Sequence, residues 1–144
     1  MKTVTINGCF DILHPGHEYL ITEAKKIAEE NNAKLIILLN SNNSVKNWKK
    51  SIGYEDWQNR PVNHHSVRKQ NLVALFGVEV KMFSSTTPLT VLHSLKPIIH
   101  IKTEEYGYDC IERKIVEING GKIVVIPHLK GFSTTKIIED GKSK

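Results

Sequence analysis

The sequence predicts an α/β fold, one parallel five-stranded sheet with helices on both faces, formed as a single domain over residues 1–144. Three observations predict it. Short apolar runs alternate along the chain with longer segments of helical period. The second apolar run, residues 34–39, is apolar at every position after Lys34, as expected of a strand buried on both faces. A length of 144 residues with 40% hydrophobic and 24% charged side chains fits one ordinary globule and excludes disordered, collagen-like and coiled-coil chains.

Each element has a local reason. Residues 3–6 read as the first strand. Residues 15–30 form a helix with Pro15 in its first turn, where the missing N–H costs nothing, and Asn31-Asn32 as its stop. After the strand at 34–39, a polar and basic connection runs from Asn40 to His65. Ser66 can cap a helix through Phe76, followed by a strand at 78–83. Thr87-Pro88 opens a short helix to Leu95, and residues 98–102 are the fourth strand. Asp109 can cap a helix that ends at Asn119-Gly120. Residues 122–126 are the fifth strand, and Ser133 can cap a last helix through Asp140.

Strict alternation of this kind builds right-handed crossovers, a Rossmann-like arrangement whose ligands bind outside the carboxyl ends of the strands. The segments leaving the strands at that edge are residues 8–16, 40–50, 84–87, 102–106 and 127–135. The unusual residues of the chain concentrate there.

Composition narrows the function. The longest apolar run, residues 35–39, is far below the roughly 20 residues a membrane helix needs. The N-terminal MKTVTING enters a strand pattern with no apolar signal core. Cys9 and Cys110 lie too far apart for a disulfide framework or metal cluster, so two reduced thiols in a cytoplasmic protein are expected. Of the net charge of +5, residues 41–70 hold six basic groups (Lys46, Lys49, Lys50, Arg60, Arg68, Lys69) against two acidic ones. That concentration points to an anionic partner, a phosphorylated small molecule or nucleic acid, with a solvated basic face as the alternative.

The segment NGCFDILHPGH leaves the first strand and opens the first helix. Gly8 allows a tight turn and close approach of a ligand. His14 precedes the first helical residue and His17 lies three residues on, so both imidazoles can sit beyond the helix N-terminus. The unpaired N–H groups and positive dipole end there suit an anion, and two imidazoles can donate to a phosphate from two directions. Metal binding by the pair would need a third ligand, for which Asp11 is the candidate; the anion reading is preferred.

His14-Pro15-Gly16-His17 after a GxFD turn resembles the HxGH signature of the cytidylyltransferase-type nucleotidyltransferases. The closing GFSTTKIIED resembles that family's second signature, a Ser/Thr-rich turn capping the last helix. NSNNSVKNWKK followed by RPVN, and the tail INGGKIVVIPHLKGFSTTKII, are similar to the adenylyltransferase domain of bacterial ADP-heptose synthase. Four segments in the same order cover essentially the whole chain.

The resemblance implies roles residue by residue. Catalysis would rest on His14, His17 and Lys46. The nucleotide would be bound by Gly8, Cys9, Phe10, Asp11, Gly16, Lys102, Gly131 and Phe132, with Ser133, Thr134 and Thr135 on the β- and γ-phosphates. Lys46, Arg60, Asn63 and Arg68 would face the acceptor. The implied reaction joins a phosphorylated sugar or polyol to the nucleoside monophosphate of ATP or CTP and releases pyrophosphate. Mg²⁺ is expected on the triphosphate rather than in a protein cage. A homodimer is compatible with the resemblance, although no exposed apolar stripe demands one.

Heptose-type domains carry KGGDY after the fourth strand, where this chain has Lys102-Thr103-Glu104-Glu105-Tyr106. Glycerol-phosphate cytidylyltransferases carry an arginine before the last signature, where this chain has His128-Leu129-Lys130. Adenine and cytosine both stay open as the base. Residues 47–59, NWKKSIGYEDWQN, are expected to form a mobile insertion over the acceptor. His64-His65 read as a solvated loop pair, Trp48 and Trp57 as packing residues, and Lys81–Ser85 as strand rather than a synthetase-type loop. A non-catalytic RNA-binding module would use the same basic stretch with Trp48, Tyr54 and Trp57 as stacking platforms. It has no need of paired histidines, so the enzyme reading is preferred.

Overall fold

The computed structural model describes residues 2–127, and the expected turn and helix from Gly131 onward, with Ser133, Thr134 and Thr135, lie outside them. Five strands, β1 (Thr3–Gly8), β2 (Lys34–Asn40), β3 (Glu79–Phe83), β4 (Ile99–Thr103) and β5 (Lys122–Ile126), pair in parallel in the order β3-β2-β1-β4-β5. Val4 aligns with Leu35 on one side and Ile99 on the other. The chain winds outward from β1 to β3, then crosses to β4 on the opposite side of β1. The strand order therefore reverses at β1 and β4, where open α/β sheets place their ligands.

The period-2 alternation of strand side chains sorts β2 into two cores. Leu35, Ile37 and Leu39 pack with Ile21, Ala24 and Ala28 of α1 (Pro15–Glu30) and Leu72 of α3 (His65–Phe76). Ile36 and Leu38 pack on the other face with Val91 and Leu92 of α4 (Leu89–Leu95) and Val116 of α5 (Arg113–Ile118). Burying each such side chain fully is worth about 1.5–3 kcal/mol before entropy is counted. The apolar run at 35–39 thus has the two-sided burial its composition predicted.

Several boundaries differ from the sequence reading, each for a local reason. Residues 40–65 contain a helix, α2 (Asn42–Ser51), which Ser41 caps by accepting the Ser44 N–H. Its apolar stripe is thin, with Val45 buried and Trp48 half-buried among Asn, Ser and Lys, so helical period is weak. Residues 47–59, expected as an insertion over the site, comprise the second half of α2, a turn and a 3₁₀ turn at Trp57–Asn59. Lys49 lies over the Tyr54 ring and Lys50 over the Trp57 ring, each at 5.0 Å. His64, not Ser66, caps α3, its imidazole accepting from the Ser66 N–H. Asp109 does not cap α5; it pairs with Arg113, and Glu112 stands at the cap position without a side-chain capping bond.

Candidate active site

The loop from β1 to α1 is built around one ring. Phe10 has φ +43°, in the left-handed region that most side chains avoid, and its ring is buried against His17 at 5.2 Å between centroids. A Cβ on Gly8 would come within 2.9 Å of Phe10 Cε2. Gly8 is therefore needed to admit this ring, a crowding that the sequence alone, which suggested only a tight turn near a ligand, did not reveal.

His14 is the N-cap of α1, and its Nδ1 accepts the Gly16 N–H at 3.1 Å. An imidazole that accepts through Nδ1 carries its proton on Nε2. The His17 ring stacks on His14 with centroids 3.8 Å apart and planes 24° from parallel. The two stacked histidines, with the tilted Phe10 ring against His17, thus form one ring cluster at the N-terminal end of a 16-residue helix.

Five of the other expected site residues build the floor of this group. Asp11 is fully buried; its Oδ2 and Oδ1 accept the N–H groups of Val62 and Asn63 at 2.6 and 2.8 Å, and its carbonyl accepts from Asn63 Nδ2. Both carboxylate oxygens are turned to protein, which argues against Asp11 as a metal ligand. Arg60 is buried 3.8 Å from Asp11 Oδ2 and donates to the Tyr54 hydroxyl. Arg68, at 0% exposure, donates to the carbonyls of Cys9 and Asn63 and to Asn42 Oδ1. Lys46 Nζ donates to the carbonyls of Gln58 and Arg60 at 2.6 and 2.9 Å.

Arg60, Asn63 and Arg68, expected on the acceptor, are thus turned inward as struts between the β1 exit, α2 and the 60–63 turn. Lys46, expected in catalysis and at the acceptor, braces the same turn. Asn42 and His65 lock the two helix starts together by reciprocal bonds: the Asn42 N–H donates to His65 Nδ1, and the His65 N–H donates to Asn42 Oδ1. His64 and His65, read as a solvated loop pair, thus stand at a helix start, with His64 exposed and capping α3 and His65 partly buried against Asn42.

A separate cavity of about 380 Å³ opens at the carboxyl ends of β1, β2 and β4. Gly8, Cys9 and Lys102, expected at the nucleotide, line it, with Asn7, Trp48, Lys49, Tyr106 and Glu112. Burial pushes the Cys9 thiol up, the Asp11 charge adds to that, and Arg68, Lys49 and Arg60 oppose it. Behind the wall, His100 is fully buried, its Nδ1 2.7 Å from Thr5 Oγ1 and its Nε2 3.1 Å from Asn7 Oδ1. Burial, assisted by the Lys102 charge, lowers the His100 pKa to about 3.

The comparisons with known proteins agree with the fold. A family model described as cytidylyltransferase-like matches residues 5–140. The chain belongs to the cytidylyltransferase-like family. It is similar to the bifunctional protein HldE of Hyphomonas neptunium, 40% identical over 147 residues that cover 99% of this chain and 28% of that protein. A second bifunctional protein HldE, from Bradyrhizobium sp., is 35% identical over 95% of this chain and 26% of its own length. The chain thus spans about a quarter of the length of these relatives. Among solved structures, the lipopolysaccharide core biosynthesis protein from Thermoplasma volcanium shares the fold, with a TM-score of 0.61 and 18% identity over 92% of this chain and 99% of that one. No helix among the described residues is long and apolar enough to cross a membrane.

Asn7, His100 and Glu112 were missed by the sequence reading. His100 had a signal, a polar residue inside an apolar strand, IIHIK. Glu112 had none, because its placement depends on how residues 104–111 fold back over β4.

Proposed function

We propose that this chain transfers a nucleoside monophosphate from a nucleoside triphosphate to a phosphorylated sugar or polyol and releases pyrophosphate. ATP with a sugar 1-phosphate is the leading pair, because four ordered segments resemble the ADP-heptose synthase domain. A glycerol-3-phosphate-type reaction with CTP is the second reading. It is favoured by Thr103 and Glu104, which stand where heptose-type domains carry glycines.

The observation that carries the proposal is the His14–His17 stack. Gly16 holds Nδ1 of His14, which fixes the Nε2–H as a donor at the tip of α1. In the proposed reaction an acceptor phosphate oxygen bonds to the α-phosphorus while the bond to the bridging oxygen of the β-phosphate breaks. The attacking oxygen is already ionised at neutral pH, so no side chain need take a proton. Catalysis is then alignment and stabilisation of spreading charge, and fixed donors supply both. Removing one such donor typically costs about 2.7–4 kcal/mol of transition-state stabilisation. Mg²⁺ carried by the triphosphate would neutralise charge on the departing pyrophosphate.

Thermal unfolding with ATP, CTP, GTP or UTP, each with Mg²⁺, tests the proposal. A ligand at a hundred times its Kd adds about 2.7 kcal/mol to the folded state. ATP or CTP should raise the Tm by several degrees more than the other nucleotides. No shift with any of the four would overturn the proposal.

A further inference from the structure

The cavity at the strand ends contains a charged pair in which Lys102, expected at the nucleotide, meets Glu112, to which the reaction above assigns no role. Lys102 Nζ donates to Glu112 Oε1 at 3.1 Å, and both side chains are buried. Glu112 Oε2 is also shut from water, yet has no hydrogen-bond partner among the described residues. The donor beside this carboxylate is the Cys110 thiol, a weak one, whose pKa is raised first by burial, then by the Glu112 charge and by a hydrogen bond to the Glu112 side chain.

The pair is the end of an ordered row. Asn7 Oδ1 accepts from Lys102 Nζ at 3.2 Å and faces His100 Nε2 at 3.1 Å. Asn7 Oδ1 can only accept, so His100 carries its proton on Nε2 and takes the Thr5 hydroxyl on Nδ1. Every link from Thr5 through His100, Asn7 and Lys102 to Glu112 Oε1 has its donor and acceptor assigned, which leaves Oε2 as a buried acceptor with no donor stronger than the Cys110 thiol beside it. A buried acceptor left open disfavours the empty protein and favours any ligand that brings a donor.

The chemistry of the walls narrows that ligand. A phosphate placed on Oε2 would meet a like charge, whereas a hydroxyl would donate to it. Val45, Trp48 and Tyr106 supply the apolar and aromatic surface that the C–H faces of a polyol can cover. We propose that this cavity holds the hydroxylated body of the phosphorylated acceptor, with Glu112 Oε2 accepting a hydrogen bond from one of its hydroxyl groups. The inference rests on the proposed transfer reaction and adds the part of the acceptor that is read and the residue that reads it. A base amine could offer the same donor, so the test separates the two substrates.

Calorimetric titration of the full chain with glycerol 3-phosphate, a hexose 1-phosphate, a heptose 1-phosphate and inorganic phosphate, and separately with ATP and CTP plus Mg²⁺, makes that separation. At least one hydroxylated phosphate should bind more tightly than inorganic phosphate. Glu112→Gln should weaken that ligand tenfold or more and leave the nucleotides within twofold. Should Glu112→Gln fail to fold, the double variant Lys102→Met/Glu112→Leu removes both charges at similar volume, a change that buried pairs commonly tolerate. It should fold and lose the preference for the hydroxylated ligand. Equal binding of inorganic and hydroxylated phosphates by the unaltered chain, or a Glu112→Gln defect confined to ATP or CTP, overturns the proposal. If neither nucleotide binds, the transfer reaction fails while the acceptor arm still decides what the cavity takes.

Discussion

Asp11 and Asn63 clasp each other across 52 positions of sequence: the Asn63 backbone N–H donates to Asp11 Oδ1, and the Asn63 side-chain amide donates to the Asp11 carbonyl. Asp11 lies between β1 and His14, so this clasp fixes the loop that delivers the histidines to the tip of α1. With Arg68 holding the Cys9 carbonyl from below, the position of the imidazoles is set by residues that need not touch a ligand.

Removing the carboxylate should therefore cost both stability and rate. Asp11→Ala leaves two backbone N–H groups without their acceptor and the buried Arg60 without the carboxylate it pairs with at 3.8 Å, a loss of about 3–5 kcal/mol by analogy with broken buried pairs. Urea unfolding should show the drop, and a variant that still folds at low temperature should turn over more slowly. Unchanged stability would contradict the clasp.

Lys46 tests the difference between a phosphate ligand and a brace. Its ammonium bridges the carbonyls of Gln58 and Arg60, so Lys46→Met should destabilise the chain by about 1–3 kcal/mol. A variant with wild-type stability but lost turnover would return Lys46 to the phosphate role that the family resemblance implies.

The strands were legible because their burial is written in composition: a run such as LIILL has few other places to go. α2 was hidden because ten residues present Val45 and Trp48 but little else apolar, and its stability comes from Ser41, His65 and the Lys46 bridge, which are contacts rather than pattern. At the site, the sequence marked which residues gather at the strand ends. It did not show that Asp11, Arg60 and Arg68 would point inward, because a motif fixes position along the chain and not the direction of a side chain. The Ser133–Thr135 turn, expected to converge with His14, His17 and Lys46, lies outside the described residues.

Gly8 gives a local test. The methyl group of Gly8→Ala would press on the Phe10 ring at 2.9 Å and, through it, on His17. Overpacking of this kind costs about 1–3 kcal/mol. Chemical unfolding should show that loss, and the His17 ring resonances should shift in NMR spectra. Wild-type spectra would mean that the ring is not held as described.

Acid should weaken the fold through His100. Its pKa of about 3 in the folded chain lies below the ordinary value near 6.5, so the unfolded chain binds the extra proton first. Stability from this group is complete above about pH 6.5 and falls as pH drops toward 3, at up to about 1.4 kcal/mol per pH unit. His100→Asn should flatten the stability profile between pH 6 and 4. Parallel profiles for the two proteins would remove His100 from the account.

Pyrophosphate release, followed with ATP or CTP, Mg²⁺ and a panel of phosphorylated sugars and polyols, tests the central claim most directly. The unaltered chain should release pyrophosphate only when a nucleotide and an acceptor are both present. His14→Ala and His17→Ala should each cut the rate by about 10²–10³ while still folding, with His14→Ala also losing the about 0.5–2 kcal/mol that a helix cap contributes. Near-normal rates in both histidine variants, or no release by the unaltered chain with any pair, would contradict the assignment of this site.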